Sequence, residues 1–311
     1  MYSENYPPHL NSTFINEASR NRIKKEDVTI VIPTLNEENA IELVLKDVLL
    51  EGYPKTLVID GNSADKTVKI VEKMRVPIYT QSGRGKTGAI KTALNYIETP
   101  YFGVIDGDCT YSARDIEALL EKAPYYSQVI GARRDRANIK LLNRLGNNVI
   151  NLIFNITYGT RLTDVCSGLY VLDTSFAKKL VLETGGFDVE VEIAAQAAAS
   201  NRVAEVPISY SSRVGVQKLD PLRDGFLIMS SIIKLSRMHN PLMFYSYLSG
   251  FILAIAGFGL TVLDIFVPFN YLSFSFMYLG ILFIGASILL LMMATFLSQL
   301  KYLAKKQSVS S

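Results

Sequence analysis

Two aspartates separated by a single glycine, Asp106 and Asp108, follow an apolar stretch over residues 100–105. Such a short apolar run is typical of a buried strand, so we expect both carboxylates at the mouth of a strand. Carboxylates in that position can share a hard divalent cation, which prefers oxygen ligands. A bound cation can in turn hold a diphosphate while negative charge builds on it. The sequence therefore predicts a Mg²⁺ or Mn²⁺ site that handles a phosphorylated substrate.

Two acidic loops and one glycine-rich turn are further candidates for the same site. Glu37 follows a first predicted strand, and Asp60 ends a second one. In an open α/β sheet the ligand crevice lies beyond the carboxyl ends of the strands, so both loops should face it. Each acid alone is more simply explained by a helix N-terminus, but together they favour contacts to a nucleobase or ribose. The turn over residues 82–88 can offer backbone N–H groups to an anion, although it lacks the spacing of a P-loop.

The distribution of charge and of imidazoles narrows the chemistry. Only three of 32 Lys and Arg, and only Asp264 of 29 acids, lie beyond residue 240, which leaves a nearly neutral domain without a global attraction to nucleic acid. His9 and His239 are the only imidazoles, which argues against a Ser-His-Asp mechanism and a His-built zinc site. Cys109 and Cys166 are too few for a disulfide framework and are expected to be reduced thiols. The chemistry is therefore left to carboxylates, cations and a metal.

The elements that must position these residues alternate between strands and helices from Val28 onward. Short β-branched runs alternate with stretches of helical periodicity, which predicts an α/β fold with a mostly parallel, Rossmann-like sheet. The predicted strands are 28–32, 56–59, 76–80, 101–105, 128–130, 169–172 and 203–210. Helices are predicted over 86–98, 139–158 and 190–199, and after Asn36, which is expected to cap a helix that Gly52 ends.

Two long uncharged segments lie near the end of the sequence. Residues 242–263 and 272–300 are each long enough, at about 1.5 Å per residue, to cross a hydrocarbon core of roughly 30 Å. They predict a transmembrane hairpin, with a pair of buried core helices as the alternative. Lysines and arginines flank the pair on both sides and are missing from the short connection. A multi-pass protein of the cell membrane is therefore expected, with its globular domain and both termini in the cytoplasm.

The remaining segments complete the predicted domain order. Residues 1–27 are polar and without periodicity, which indicates a flexible leader, and residues 28–220 form the catalytic domain. Residues 221–239 place apolar side chains on one face and cationic ones on another. We expect this amphipathic helix to lie in the interface of the lipid bilayer, although an ordinary surface helix has the same pattern.

Seven sequence blocks occur in order between residues 28 and 238. They are VIPTLNEEN from Val31, DGNSADKT from Asp60, SGRGKTGAI from Ser82, DGD from Asp106, GARR from Gly131, DVCSG from Asp164 and EVPISYSSR from Glu205. With these blocks the chain resembles the family 2 inverting glycosyltransferases of the GT-A fold, and among them the polyprenyl-phosphate sugar synthases. The resemblance extends to the archaeal dolichyl-phosphate hexosyltransferases of N-glycosylation, through LNRLGN from Leu142 and LRDG from Leu222.

This resemblance implies metal-dependent, inverting transfer of a hexose from a nucleotide-sugar donor to dolichyl or polyprenyl phosphate. The residues implied in donor binding are Pro33, Leu35, Glu37, Asp60, Ser63, Lys86 and Asp106. Those implied in metal binding are Asp106 and Asp108, with Thr110 as a further candidate. Those implied in acceptor-phosphate binding are Arg133, Arg144, Arg213 and Lys218. Catalytic roles are assigned to Asp108, Arg213, Asp164 and Glu192.

Two of these assignments carry a structural expectation. Asp188, Glu190 and Glu192 alternate along the chain, which would place them on one face of a strand but not of a helix, and Glu192 is assigned to the sugar. Asp164 is expected to orient either the sugar or a phosphate-binding arginine. No general base is required, because a phosphate monoester with a second pKa of about 6 is already mostly dianionic at neutral pH.

Three departures from the family pattern affect the substrate. Gly61 stands where the mannose synthases usually have a second acid, which favours UDP-glucose or UDP-N-acetylglucosamine over GDP-mannose. Thr110 stands where many relatives have a glutamine that contacts the metal. Tyr170 stands where an arginine is common, and Arg144 or Arg161 is a candidate replacement for that cation.

Two alternative functions follow from the same residues. The first is transfer to a saccharide hydroxyl, which would need a general base and a groove that usually carries tryptophans; this chain has no tryptophan. The second is a membrane-anchored scaffold that binds a nucleotide-sugar without turnover. The presence of Asp106, Asp108 and Arg213 argues against the scaffold, because a decayed site would be free to lose them.

Overall fold

Seven short runs of β-branched and apolar residues form one mixed sheet. The computed structural model describes residues 22–134, 138, 141–182, 189–200, 202–215, 230, 241–266, 278–293 and 296. The strands are β1 (Val28–Thr34), β2 (Lys55–Asp60), β3 (Ile78–Thr80), β4 (Tyr101–Val104), β5 (Gln128–Arg133), β6 (Tyr170–Asp173) and β7 (Val203–Ile208). Their order across the sheet is β3-β2-β1-β4-β6-β5-β7. All pairs are parallel except those of β6, which confirms the predicted α/β class.

The single reversed strand, β6, brings the residues before it to the edge of the sheet at which β1, β2 and β4 end. β6 is antiparallel to both of its neighbours, and Tyr170 at its start pairs with Val104 at the end of β4. The residues immediately before β6, among them Asp164 and Gly168, therefore arrive where β1, β2 and β4 end. Loops from both halves of the sequence thus line one crevice, as expected for an open α/β sheet.

Helices cover both faces of the sheet. They are α1 (Ile41–Leu50), α2 (Thr67–Lys73), α3 (Gly85–Ala93), α4 (Ile116–Leu120), α5 (Leu141–Tyr158), α6 (Thr174–Ala177) and α7 (Val189–Ala199). Ile30 and Ile32 of β1 belong to the core cluster that contains α1, whereas Val31 belongs to the cluster that contains α3. This is the alternation that a strand with two buried faces must show. A third core cluster contains Phe154 of α5 and Val191 of α7.

The first helix begins later than its sequence predicts. Asn36 does not cap it, because α1 starts at Ile41 and Asn36 has a left-handed backbone with φ of 52°. Its side-chain oxygen instead accepts a hydrogen bond from the Ala64 N–H at 2.7 Å. The prediction was wrong because a contact with the neighbouring loop competes with the cap. At the other end Gly52, with φ of 77°, ends the helix as predicted.

Two apolar helices follow the α/β domain. Helix α8 (Pro241–Phe266) includes Phe244–Val262, which has a mean hydropathy of 1.5 and is long enough to cross a membrane. Helix α9 (Tyr278–Met293) is apolar but shorter over its described residues, so the second predicted span is not confirmed. The helices pack closely, since a Cβ added to Gly257 would lie 2.8 Å from the carbonyl oxygen of Gly280. The predicted interfacial helix, apart from Ser230, and residues 1–21 lie outside the described residues.

Candidate active site

The loops that follow β1 and β2 are hydrogen-bonded to each other. The Glu38 N–H donates to Asp65 Oδ2 at 3.0 Å, and the Lys66 N–H donates to Glu38 Oε2 at 3.0 Å. The Glu37 N–H donates to the Thr67 hydroxyl at 2.8 Å. The two acidic loops therefore form one rigid wall of the crevice, in agreement with their predicted common position.

Asp60 is fixed at the end of β2 by the residue predicted to act with it. Its two carboxylate oxygens accept hydrogen bonds from the hydroxyl and the N–H of Ser63, at 2.5 Å and 2.9 Å. Asp60 is buried, whereas Leu35 in the adjacent loop leaves 43% of its surface exposed. Pro33 lies inside β1, paired with Ile59. A carboxylate so restrained can accept hydrogen bonds from a nucleoside in a fixed direction.

Asp106, at the end of the β4 run, is paired with a lysine from another element. The Lys86 ammonium, at the start of α3, lies 2.5 Å from Asp106 Oδ1 and 2.6 Å from Glu190 Oε1 on α7. Burial lowers the pKa of Lys86, but attraction to the two carboxylates outweighs it and raises the pKa well above its usual value. Burial raises the pKa of Asp106 and of Glu190, and Lys86 opposes that rise. The three groups form one coupled cluster.

Asp108 is paired with an arginine that also reaches the first acidic loop. Arg213 donates to Asp108 Oδ2 at 2.7 Å and to Glu37 Oε1 at 2.5 Å. The Thr110 hydroxyl donates to the other oxygen of Asp108 at 2.5 Å. Arg213 thereby joins two carboxylates that the sequence assigns to the donor and the metal. The phosphate-binding role that the resemblance implies for Arg213 stays a prediction.

Backbone hydrogen bonds hold the segment that carries Arg213 against the aspartate loop. The Ser211 N–H donates to the Thr110 carbonyl at 2.9 Å, and the Val214 N–H donates to the Asp108 carbonyl at 3.0 Å. These bonds place the segment over residues 209–215 along the aspartate loop and bring the Arg213 side chain to Asp108.

Arg133 is locked by Asp164. Its Nε and Nη2 atoms donate to the two oxygens of Asp164, each at 2.6 Å, and its backbone N–H donates to the same carboxylate at 3.0 Å. The guanidinium lies 5.1 Å from the ring centre of Tyr210. Asp164 therefore orients an arginine, one of the two roles considered for it. This pair uses two of the five N–H donors of Arg133, and the guanidinium is also hydrogen-bonded to Tyr210.

Gly168 provides the space that Asp106 occupies. A Cβ added to Gly168 would lie 2.0 Å from Asp106 Oδ2, far inside van der Waals contact. The Gly168 N–H donates to the Tyr111 hydroxyl at 2.8 Å, which fixes the close approach. A side chain at this position would therefore displace the Asp106 carboxylate, a relation that spacing along the chain does not reveal.

Comparison with known proteins identifies the family to which this chain belongs. The model of the family described as glycosyl transferase family 2 matches residues 29–179. A protein named glycosyltransferase AglJ, from Haloferax volcanii, is 34% identical over 76% of this chain and 80% of the relative. The chain belongs to glycosyl transferase family 2. A second relative from the same organism, named dolichyl-phosphate hexose transferase, is 30% identical over 67% of this family 2 glycosyltransferase and 93% of the relative.

Solved structures confirm the fold of this family 2 glycosyltransferase. Glucosyl-3-phosphoglycerate synthase from Mycobacterium tuberculosis, in complex with phosphoglyceric acid, superposes with a TM-score of 0.57 at 17% identity, over 73% of this chain and 84% of that protein. The same protein in complex with Mn²⁺, UDP-glucose and phosphoglyceric acid has a TM-score of 0.54 at 18% identity. At these identities the likeness shows the shared α/β fold.

The oxygen donors of this family 2 glycosyltransferase suit a hard divalent cation. Asp106 and Asp108 offer carboxylates, and Thr110 offers a hydroxyl beside Asp108. Among the described residues no group of three or more His, Cys, Asp or Glu side chains forms a complete cage. Mg²⁺ commonly takes one or two protein carboxylates and completes its shell with substrate phosphates and water. The aspartate pair fits that pattern.

The other predicted site residues of this glycosyltransferase lie outside the contacts described above. Arg144 is half-buried on α5, and Lys218 lies outside the described residues. Glu190 and Glu192 lie in α7, which confirms the helix predicted over 190–199, so they are about 200° apart around the helix axis and do not share a face. Asp188 lies outside the described residues. It is Glu190 that contacts Lys86. Sequence reasoning missed this contact, because its only signal is an acid in the first turn of a predicted helix.

The Arg133–Asp164 pair predicts a stability effect. The two side chains are 9% and 1% exposed. Asp164→Asn would leave the guanidinium buried without its counter-charge, which should lower the free energy of unfolding by about 3–5 kcal/mol. Thermal and urea unfolding of the detergent-solubilised protein measure this loss.

An exposed ion pair on α1 supplies the control for that experiment. Glu42 and Lys46 pair at 2.7 Å, but their side chains are 53% and 56% exposed. We expect Glu42→Gln to leave the unfolding midpoint unchanged, because solvent screens such a pair. Equal midpoints for Asp164→Asn and the wild-type protein would contradict the predicted contribution of the buried pair.

Proposed function

We propose that this glycosyltransferase moves a hexose from a nucleotide-sugar to dolichyl or polyprenyl phosphate, in an inverting, metal-dependent reaction at a membrane surface. The observation that carries the proposal is the relative named dolichyl-phosphate hexose transferase, which aligns over 93% of its own length. The cations and carboxylates that meet at the crevice support it, since both proposed substrates are phosphorylated.

The donor is proposed to lie along the loops after β1, β2 and β4. Asp60 and Glu37 would contact the nucleoside, and Asp106 and Asp108 would hold a divalent cation at the diphosphate. A Cβ at Gly61 would lie 3.2 Å from the Thr34 carbonyl oxygen, so the second acid of the mannose synthases would need a local shift. This supports a UDP-sugar, with UDP-glucose and UDP-N-acetylglucosamine as the preferred candidates.

The acceptor phosphate supplies the nucleophile. One of its anionic oxygens forms a bond to the anomeric carbon, while the bond from that carbon to the diphosphate oxygen breaks and its electron pair leaves with the nucleoside diphosphate. Attack from the opposite face converts an α-linked donor into a β-linked lipid phosphate. A bound Mg²⁺ or Mn²⁺ would neutralise charge on the leaving diphosphate.

The protein's own contribution is to hold two anions close together. Arg213 and Lys86 each lie between two carboxylates, so a phosphate that approaches them can replace one partner and leave the cation paired. Arg133, oriented by Asp164, and Arg144 and Lys218 are the further acceptor-phosphate candidates. Bidentate guanidinium contacts fix the direction of the attacking oxygen and reduce repulsion between the substrates.

Membrane attachment is proposed from the end of the chain. Helix α8 contains a segment long and apolar enough to cross a bilayer, and α9 packs against it through small residues. This supports a multi-pass protein with the catalytic domain and both termini on the cytoplasmic side. An interfacial helix over residues 221–239 would then set the height of the crevice above the lipid.

Radiolabelled donors test this function directly. Membranes containing the protein are incubated with Mg²⁺ or Mn²⁺, dolichyl phosphate and labelled UDP-glucose, UDP-N-acetylglucosamine or GDP-mannose. We expect one donor to give a product that extracts into organic solvent and releases its sugar in mild acid. Omission of dolichyl phosphate is the control. Label found only in water-soluble sugar supports donor hydrolysis or a saccharide acceptor, and binding without turnover supports a scaffold.

A further inference from the structure

One buried lysine with two carboxylate partners lies at the centre of the candidate site. The Lys86 ammonium is 2.5 Å from Asp106 Oδ1 and 2.6 Å from Glu190 Oε1. The side chains of Lys86 and Glu190 are only 10% and 7% exposed, so little water screens their contact. The proposed function gives roles to Lys86 and Asp106 and leaves Glu190 unexplained.

The carboxylate of Glu190 becomes important if Asp106 leaves Lys86 to bind a cation. A divalent cation and the Lys86 ammonium, which contacts Asp106 Oδ1, compete for the negative charge of the same carboxylate. A buried ammonium that loses its counter-charge is strongly disfavoured, so Lys86 would oppose the cation if Asp106 were its only anion. Glu190 removes this opposition, because it keeps Lys86 paired when Asp106 turns to the cation.

We propose that Glu190 is a positioning residue, which acts through Lys86 to make Asp106 available to the divalent cation. The inference rests on the proposed function, since it takes Asp106 as a cation ligand. The fold holds both partners on regular elements: Lys86 is the second residue of α3, and Glu190 is the second residue of α7. An acid in the first helical turn is also favoured by the helix dipole.

Binding of Mn²⁺ to the full-length protein, followed by electron paramagnetic resonance, tests the inference without reference to turnover. UDP is present in one arm and GDP in the other. Glu190→Gln keeps the shape of the side chain and removes its charge. We expect it to weaken Mn²⁺ binding by about 10-fold, the lower end of the range found when the outer partner of a metal ligand is lost, because Glu190 acts on Asp106 through Lys86.

The matched control is Glu205→Gln. Glu205 is another partly buried acid, and its carboxylate accepts a hydrogen bond from the Thr163 N–H at 2.7 Å, which a glutamine oxygen can also accept. We expect the wild-type dissociation constant for Mn²⁺ in this variant. An equal loss in Glu205→Gln and Glu190→Gln would overturn the inference, because the effect would then be a general result of removing a buried charge.

A double variant tests whether the effect passes through Lys86. With Lys86→Met the competing ammonium is gone, so Lys86→Met and Lys86→Met/Glu190→Gln should bind Mn²⁺ equally, and both more tightly than Glu190→Gln. This comparison holds even if Glu190→Gln alone does not fold, because it needs only the two variants that lack Lys86. Near-ultraviolet circular dichroism confirms the fold of each variant.

The outcomes separate the inference from the proposed function. Tight Mn²⁺ binding by Glu190→Gln, or a further loss on adding Glu190→Gln to Lys86→Met, overturns the role of Glu190 and leaves the cation assignment intact. Failure of the wild-type protein to bind Mn²⁺ with either nucleotide overturns the cation assignment, and the inference with it.

Discussion

Asparagine in place of Asp108 is expected to lower kcat for hexose transfer by at least about 10³-fold, because it removes the charge proposed to hold the cation and its diphosphate. The substitution keeps the shape of the side chain, so the Thr110 hydroxyl retains an acceptor. Arg213 also retains its second carboxylate, Glu37, at 2.5 Å. The fold should therefore survive. Initial rates of lipid-linked product formation, with melting temperatures measured alongside, distinguish loss of chemistry from loss of structure.

Asp115→Asn is the matched control for that variant. Asp115 also binds the 209–215 segment, since its carboxylate accepts from the Ser209 hydroxyl and N–H at 2.5 Å and 3.1 Å. An asparagine oxygen can accept the same bonds, and the proposed reaction gives Asp115 no part. We expect near wild-type turnover. Wild-type turnover in Asp108→Asn as well would remove the cation assignment.

Alanine at Gly168 is expected to disable the site by displacing the Asp106 carboxylate. The added methyl would lie 2.0 Å from Asp106 Oδ2, so either Asp106 or the loop before β6 must move. Displacement of a catalytic group by about 1 Å can cost about 10²-fold in rate, and we expect at least that loss in kcat/KM for the donor. Steady-state kinetics with varied donor concentration measure it.

Gly146→Ala is the matched control, because it adds the same methyl group at another glycine. A Cβ added to Gly146, on α5, would meet no atom within 4 Å, and Gly146 lies inside a helix. Alanine there should leave activity unchanged and stabilise the protein by about 0.5–1 kcal/mol. If Gly168→Ala kept wild-type kcat/KM, the close fit between Gly168 and Asp106 would have no functional meaning.

The fold follows closely from the sequence because the inner strands of its sheet are buried on both faces. Runs such as those of β1 and β4 contain little except β-branched and apolar residues, and all seven strands were predicted. The order of the strands and the reversal of β6 were not predictable, because pairing partners depend on contacts between distant parts of the chain. The start of α1 was misplaced for the same reason: Asn36 bonds to a distant loop.

The candidate site was predictable where its residues lie within one loop. Asp60 with Ser63, and Asp108 with Thr110, were identified from motifs and are adjacent in the structure. The counter-charges were not predictable, because Lys86 and Glu190 come from different helices and nothing in their spacing pairs them. The roles of all these residues in binding and catalysis remain predictions for the experiments above.

The reversed direction of β6 also limits which parts of this protein can be exchanged with those of a relative. Because the segment before β6 reaches the crevice from the opposite side, the surroundings of Asp106 are assembled from both halves of the gene product: Lys86 from the first, Gly168 and Glu190 from the second. A chimaera that took only the first four strands and the aspartate loop from a relative would set that loop against the Gly168 and Glu190 of this chain, with which it had not been matched. Recombination should therefore preserve activity best when both halves are inherited together.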